Sequence, residues 1–427
     1  MIKLLTLGYA CILVLVSGVC AQNLDTEREL HQQILKNLKK DVEENYFDPK
    51  LKGVDLGTAV KKASDLVAGA RSVEEMDDIV ARVLMQFDDS HLIFAPPERT
   101  VLVKYGWHIQ MIGDKAFVTD VADDSDAKKK GIRPGDQIYM LEGFIPTRSE
   151  FQLLKYHYEI LAPQPRIVAV IVKPDGRKYK VEIEAKVERQ SVFKPTTRDL
   201  NLRFDSEFLK RTRQEFYDEM PGLAIWKIPT FEFSDIKVAK MMDRVKNASA
   251  LVLDLRGNEG GLVYSLEELI KAFFEKDVNI GKAHYRKETY TNLLKGDGKK
   301  AYSGKLVVLI DSESASAAEV FARVVQLEKR GTVIGDRSSG QVMAARLFPH
   351  YYGMDDLIGY GFSVTVGDLE MKDGGRLEKV GVTPDEIVIP SAKDMSIGRD
   401  PALARAVESL GFQMSPEVAG AIFKKEK

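Results

Sequence analysis

A mixed α/β fold of several domains is predicted for this chain of 427 residues. Three observations carry that prediction. Apolar positions recur at helical spacing near the N-terminus, and a stretch of short alternating strands follows. In the C-terminal half, continuous apolar runs rich in β-branched residues end in turns of Gly, Ser or Asp, and the clearest of these turns leads on into a helical pattern.

Residues 1–21 hold one cation, Lys3, then an apolar stretch over 4–16 and small residues around Val19-Cys20-Ala21. This is the pattern of a secretory signal peptide cut before Gln22. Cys20 permits a lipoprotein anchor, but Val19 is a poor residue before a lipidated cysteine. The apolar core is also shorter than the roughly 20 residues that a membrane span needs. Cys11 and Cys20 both fall in or beside this leader. The mature chain is therefore expected to lack disulfide and thiol chemistry and to be secreted or periplasmic.

Residues 22–97 read as a helical region, in which Leu30, Ile34, Leu35 and Leu38, then Met76, Ile79, Val80, Val83 and Leu84, keep one face apolar. It closes at Phe87-Asp88-Asp89-Ser90-His91, with Pro96-Pro97 as a boundary. Residues 98–188 carry short strands, a small helix near 127–131 and the turn Gly131-Ile132-Arg133-Pro134-Gly135-Asp136. Residues 189–222 connect without a functional pattern, the core runs over 223–403, and 404–427 form a C-terminal helix or tail. Charge is balanced, 62 Lys+Arg against 64 Asp+Glu, so no basic face for nucleic acid is implied. The scattered histidines, with no His-x-x-x-His, imply no metal, and no cofactor is expected. His31, His157 and His284 lie in helical or charged stretches and read as surface residues.

The chemistry concentrates in three segments. The apolar run Lys305-Leu306-Val307-Val308-Leu309-Ile310 leads into Asp311-Ser312-Glu313-Ser314-Ala315-Ser316-Ala317-Ala318-Glu319 and then a helical pattern. A serine at such a strand-to-helix turn meets outward-pointing N–H groups, where a nucleophile fits, although Ser and Asp are also ordinary helix caps. Asp254-Leu255-Arg256-Gly257-Asn258-Glu259-Gly260-Gly261 closes the run Ala250-Leu251-Val252-Leu253, and its paired glycines offer unhindered N–H groups. Leu377-Glu378-Lys379-Val380-Gly381-Val382-Thr383-Pro384-Asp385 precedes a third run.

In this order the three segments resemble the core of the tail-specific or C-terminal processing peptidases, the S41 serine peptidase family, with a ClpP/crotonase-like α/β core. The resemblance implies Ser316 as nucleophile and an oxyanion hole built from Ala317 with Gly260 or Gly261. Ser312 and Ser314 are then turn caps. In the Ser/Lys branch the base is a lysine that would stand where this chain has Gln341, and no lysine occurs between Lys329 and Lys372. A neutral amide cannot take a hydroxyl proton. The tricorn-type branch instead takes its base from a Ser-His pair before the PDZ segment, where Ser90-His91 stands here. That implies His91 as base, with Ser90 and Glu378 as orienting groups. Glu370 and Asp373 are alternatives to Glu378, and His350 is an alternative to His91.

Gly106-Trp107-His108-Ile109, the strand-like 116–121 and the Gly-Ile-Arg-Pro-Gly-Asp turn resemble a PDZ domain. This implies that the loop at Gly106, Trp107, His108 and Ile109 receives a peptide, with its C-terminal carboxylate on backbone N–H groups. The expected partners are protein or peptide substrates. A catalytically silent binding protein of the same fold stays open as the other reading of the missing lysine.

Overall fold

The computed structural model describes residues 24–97, 101–189, 213–353 and 358–423. The expected leader with Cys11 and Cys20, and residues 190–212 of the connecting segment, lie outside them. No helix among the described residues is long and apolar enough to cross a membrane.

The architecture mixes helices and sheets. Helices α1 (Leu24–Asn45), α2 (Leu56–Gly69) and α3 (Val73–Met85) form the N-terminal region, α2 and α3 being capped by Asp55 and Ser72 side chains that accept from backbone N–H. Their apolar stripes bury Leu30, Ile34, Leu38, Met76, Val80 and Leu84 together. The same core takes in Tyr360, Phe362 and Val364 from far along the chain, with Phe94 and Phe362 stacked at 5.6 Å. The stretch beyond His91 is not only a boundary: β1 (Ile93–Ala95) pairs antiparallel with the long strand β17 (Ile358–Met371). His31 is not a surface residue either. It is fully buried, 3.0 Å from Asp77, because α1 and α3 close over that face.

Residues 101–189 hold the two-stranded pair β2 (Val101–Lys104) and β8 (Lys186–Arg189) and an antiparallel sheet in the order β3 (Trp107–Ile112), β4 (Lys115–Val121), β5 (Gln137–Leu141), β6 (Arg166–Val172), β7 (Lys178–Glu184). Helices α4 (Asp126–Lys129) and α5 (Phe151–Tyr156) accompany it. β3 is an edge strand.

The third layer is a six-stranded sheet. In spatial order it runs β18 (Glu386–Ile387), β15 (Thr332–Gly335), β14 (Lys305–Ile310), β11 (Ala250–Asp254), β10 (Leu223–Lys227), β9 (Glu215–Tyr217), all parallel except β9. Its central strands β11 and β14 are apolar except at their ends, Asp254 and Lys305, because both faces are covered. Leu251, Leu253, Leu306, Val308 and Ile310 face one core with α6 (Asp235–Val245), α7 (Val263–Phe273) and α8 (Ala317–Leu327), while Val252, Val307 and Leu309 face Ala402, Leu403 and Ala406 of α10 (Pro401–Ser409), which follows α9 (Ala392–Ile397). A separate antiparallel sheet joins β1, β17, β12 (Val278–Tyr285) and β13 (Thr289–Leu294), with β16 (Met343–Tyr352) also on β17.

Candidate active site

Three loops meet because three parallel strands lie side by side. β11, β14 and β15 are hydrogen-bonded neighbours, so residues 255–261, 311–316 and 336–342 all emerge at one end of the sheet. In open parallel sheets that end is where reacting groups collect.

The turn after β14 is laced down before it reaches Ser316. Asp311 Oδ1 accepts from the N–H groups of Glu313 and Gly257, both at 3.0 Å, and Ser314 Oγ donates to Leu255 O at 2.8 Å. Ser314 is thus a cap between two loops, as expected. Ser312 Oγ instead donates to Met111 O on β3. Ser316 stands half-buried at the head of α8 with φ 53° and ψ −116°. A residue with a Cβ holds such a backbone at a cost of order 1–3 kcal/mol, so its surroundings must hold it there. Its N–H is shared between Gln341 O at 2.9 Å and Glu319 Oε2 at 3.1 Å. Ala317 opens the helix, where the first N–H groups have no acceptor within the helix.

The glycines divide their roles. A Cβ on Gly260 would lie 2.7 Å from Ser316 Cβ, so the close approach of the two loops requires glycine there. The Gly260 N–H, however, is donated to Asn258 Oδ1 at 2.8 Å. This corrects its expected part in an oxyanion hole: it supplies space, and the Gly261 N–H, which makes no hydrogen bond among the described residues, is the free donor. Asn258 is fully buried, and its backbone O receives the Ala315 N–H at 2.9 Å, which staples the glycine loop to the serine turn.

His91 arrives from the turn after α3. Asp89 fixes that turn by accepting from the His91 N–H at 3.0 Å, the Tyr46 hydroxyl at 2.8 Å and the Thr365 hydroxyl at 2.7 Å. His91 Nδ1 lies 2.8 Å from Ser90 Oγ, and Ser90 Oγ donates to Glu378 Oε2 at 2.8 Å. Glu378 also accepts the Ser90 N–H at 3.0 Å and the Val342 N–H at 2.9 Å. Its alternatives are committed elsewhere: Asp373 lies 2.5 Å from Arg323, and Glu370 pairs with Arg376. His350 pairs with Asp41 at 2.6 Å and stacks on Tyr360, on the helical region. Burial pushes the His91 imidazole below its ordinary value, with the charges of Glu378 and Asp89 pulling the other way. At neutral pH the ring is therefore mostly uncharged.

Gln341, at the lysine position, serves through its backbone: its N–H goes to Glu319 Oε2 at 2.9 Å and its O receives the Ser316 N–H. Glu319, three residues after Ser316, is fully buried. It accepts from the Ser338 hydroxyl at 2.6 Å, the Gly340 N–H at 2.8 Å, and Gln341 and Ser316. Burial pushes its carboxyl up to about 7 against these four bonds. The sequence signal was present, since Ser316-x-x-Glu319 fits a capping box.

The four expected peptide-binding residues lie together at the start of edge strand β3. Gly106, at φ 74°, leaves no room for a Cβ beside Ser125, and Ile109 is buried. His108 pairs with Glu313 of the serine turn at 3.0 Å. The far end of β3 is docked on the same region, with Gln110 Nε2 donating to Asp311 at 2.7 Å and the Gly113 N–H to Asp336 at 2.8 Å.

Peptidase family S41 matches residues 222–388. The carboxyl-terminal-processing protease of Synechocystis sp. is 25% identical over 271 residues, 62% of this chain and 57% of that protein. The carboxy-terminal processing protease CtpA of Bacillus subtilis is 24% identical over 325 residues, 72% of this chain and 63% of that protein. The tail-specific protease of Haemophilus influenzae is 28% identical over 286 residues, 59% and 40% of the two chains. The chain thus spans less than two thirds of each of these curated relatives. Among solved structures, mature CPAF superposes with a TM-score of 0.64 at 15% identity, covering 87% of this chain and 94% of that one. The photosystem II D1 C-terminal processing protease does so at 0.51 and 19% identity, covering 91% and 99%. At such identities the structural likeness speaks for the fold alone. The serine turn and the glycine loop, at one end of the sheet, both lie inside the stretch that matches peptidase family S41, and that stretch and the processing-protease relatives are what liken this chain to a serine-type peptidase.

Proposed function

We propose that this chain is an exported serine endopeptidase in which Ser316 is the nucleophile and His91 the general base. The observation that carries the reading is the direction of one hydrogen-bond chain. Ser90 Oγ has a single proton and donates it to Glu378 Oε2. Toward His91 Nδ1 it therefore acts as acceptor, so Nδ1 carries the ring proton and Nε2 holds the lone pair. That tautomer is the one a base toward a serine hydroxyl needs.

In this reading Ser316 Oγ attacks the peptide carbonyl carbon as its proton passes to His91 Nε2. The carbonyl oxygen becomes an anion facing the N–H groups of Ala317 and Gly261. Collapse breaks the C–N bond, and the imidazolium returns its proton to the leaving amine. Water then hydrolyses the acyl-serine by the same route in reverse. Glu378, through Ser90, stabilises the imidazolium formed in each half. No step falls to the Gln341 side chain. The PDZ-like segment, with Gly106, Trp107, His108 and Ile109 on an edge strand, suits a peptide added as a further strand, and protein C-termini are the proposed ligands. The leader over residues 1–21 supports export to the periplasm or beyond.

The test is hydrolysis of an unfolded protein such as casein by the wild-type chain and by Ser316→Ala and His91→Ala, with thermal unfolding alongside. Both variants should fold normally and lose at least about 10³-fold in kcat, the scale on which Ser-His relays fail when one member is removed. Cleavage that survives Ser316→Ala would sink the assignment. A wild-type chain that neither cleaves nor takes a fluorophosphonate label would favour the silent binding protein.

A further inference from the structure

We propose that Glu319 is a positioning residue whose carboxylate clamps the strained backbone of Ser316 to residues 338–342, and so sets the nucleophile in register with the His91 relay. The inference rests on the peptidase reading above and extends it to a residue outside the relay.

The geometry is that of an anion surrounded by donors. Oε1 accepts from the Ser338 hydroxyl and the Gly340 N–H, and Oε2 from the N–H groups of Gln341 and Ser316. An ionised carboxylate offers about four lone-pair sites, and here each is used. A neutral acid or amide cannot accept from all four, because part of its hydrogen-bonding capacity becomes a donor facing donors. Ser338 is itself fixed, since its Oγ also accepts the Val382 N–H at 2.6 Å. The next residue in the loop, Val342, gives its N–H to Glu378. The short segment 338–342 is therefore held at one end by Glu319, which also holds Ser316, and at the other by Glu378, which also holds Ser90. It spans the two halves of the site, and the left-handed Ser316 gives its N–H both to Gln341 O of this segment and to Glu319 Oε2, which holds the segment.

No charged side chain hydrogen-bonds Glu319 among the described residues. Arg323, one turn along the same helix, is committed to Asp373, and Glu378 faces Ser90 and Val342. The pH at which Glu319 ionises is thus set by burial against its four donors. The anion is the clamping form, so the clamp loosens as pH falls through about 7. His91, lowered by burial, gains its proton only at more acid pH.

The experiment compares wild type with Glu319→Gln for peptide hydrolysis from pH 5 to 9, each variant checked for a cooperative thermal transition. The expected result is a loss of about 10²-fold in kcat, the scale of a nucleophile displaced by about 1 Å, with KM changed less than about 3-fold. The wild-type acid limb of kcat should have its midpoint near 7, and the residual activity of Glu319→Gln should lose that limb and keep only the lower one of His91. A kcat within a few-fold of wild type, or an acid limb that the variant leaves in place, overturns the proposal. If Glu319→Gln does not fold, Ser338→Ala removes a single donor and should lower kcat several-fold at constant KM, and an unchanged kcat there overturns the proposal as well. A wild-type chain with no hydrolysis is a different failure, that of the peptidase reading itself.

Discussion

At the scale of single residues, the site rests on backbone as much as on side chains, and this decides which substitutions matter. Gln341 contributes its N–H and its carbonyl, so Gln341→Ala should keep kcat within about 3-fold of wild type in the casein assay. Gly260 contributes the absence of a side chain. Gly260→Ala places a methyl group 2.7 Å from Ser316 Cβ on a backbone at φ 96°. It should lower kcat by 10²-fold or more, since pushing the two loops apart misplaces nucleophile and oxyanion donor together. The sequence displayed Ser316, Ser90, His91 and Glu378 because each is a reactive or charged side chain in a marked turn. It hid Asn258, Asp89 and the backbone service of Gln341, because a buried polar group that ties two loops together has no sequence pattern until the loops are known to meet. It also suggested both glycines as donors, and only a hydrogen bond from Gly260 to Asn258 tells them apart.

At the scale of elements, strand β3 and the serine turn are joined by a titratable contact. His108 lies 3.0 Å from Glu313, with Lys155 of α5 3.8 Å from the same carboxylate and Glu159 close enough to feel the charges of all three. The hydrogen bond to Glu313 raises the His108 imidazole above its ordinary value, against burial. A raised histidine contributes stability that is complete below the unfolded value of about 6.5 and is lost as pH rises through the folded one. The protection factors of the amides at residues 107–112, which remove the intrinsic pH dependence of exchange, should therefore fall as pH rises above about 6.5, and Glu313→Gln should flatten that dependence. Protection factors that do not change with pH would show that the remaining contacts, Gln110 to Asp311 and Gly113 to Asp336, hold β3 alone. The central strands β11 and β14 and helix α8 were legible as apolar runs with marked ends. β1 was not: its three residues follow a turn and precede two prolines, and they become a strand only because β17 offers them an edge.

At the scale of the whole molecule, the helical region is not an appendage, since its core is completed by Tyr360, Phe362 and Val364 of β17. Phe362→Ala removes a fully buried ring stacked on Phe94 and should destabilise the fold by about 3–5 kcal/mol, seen as a lower denaturant midpoint. Activity should fall with it below the transition, because the turn bearing His91 is anchored to the same strand through Thr365 and Asp89. On the proposed relay of His91, Ser316 and Glu378, the active site is also absent for most of the chain's own synthesis. When the serine turn leaves the ribosome, the acid that orients the base has not been made, and the first three helices have no β17 to close on. On that reading the growing chain cannot cut, and activity appears only once the last of these segments has emerged and docked.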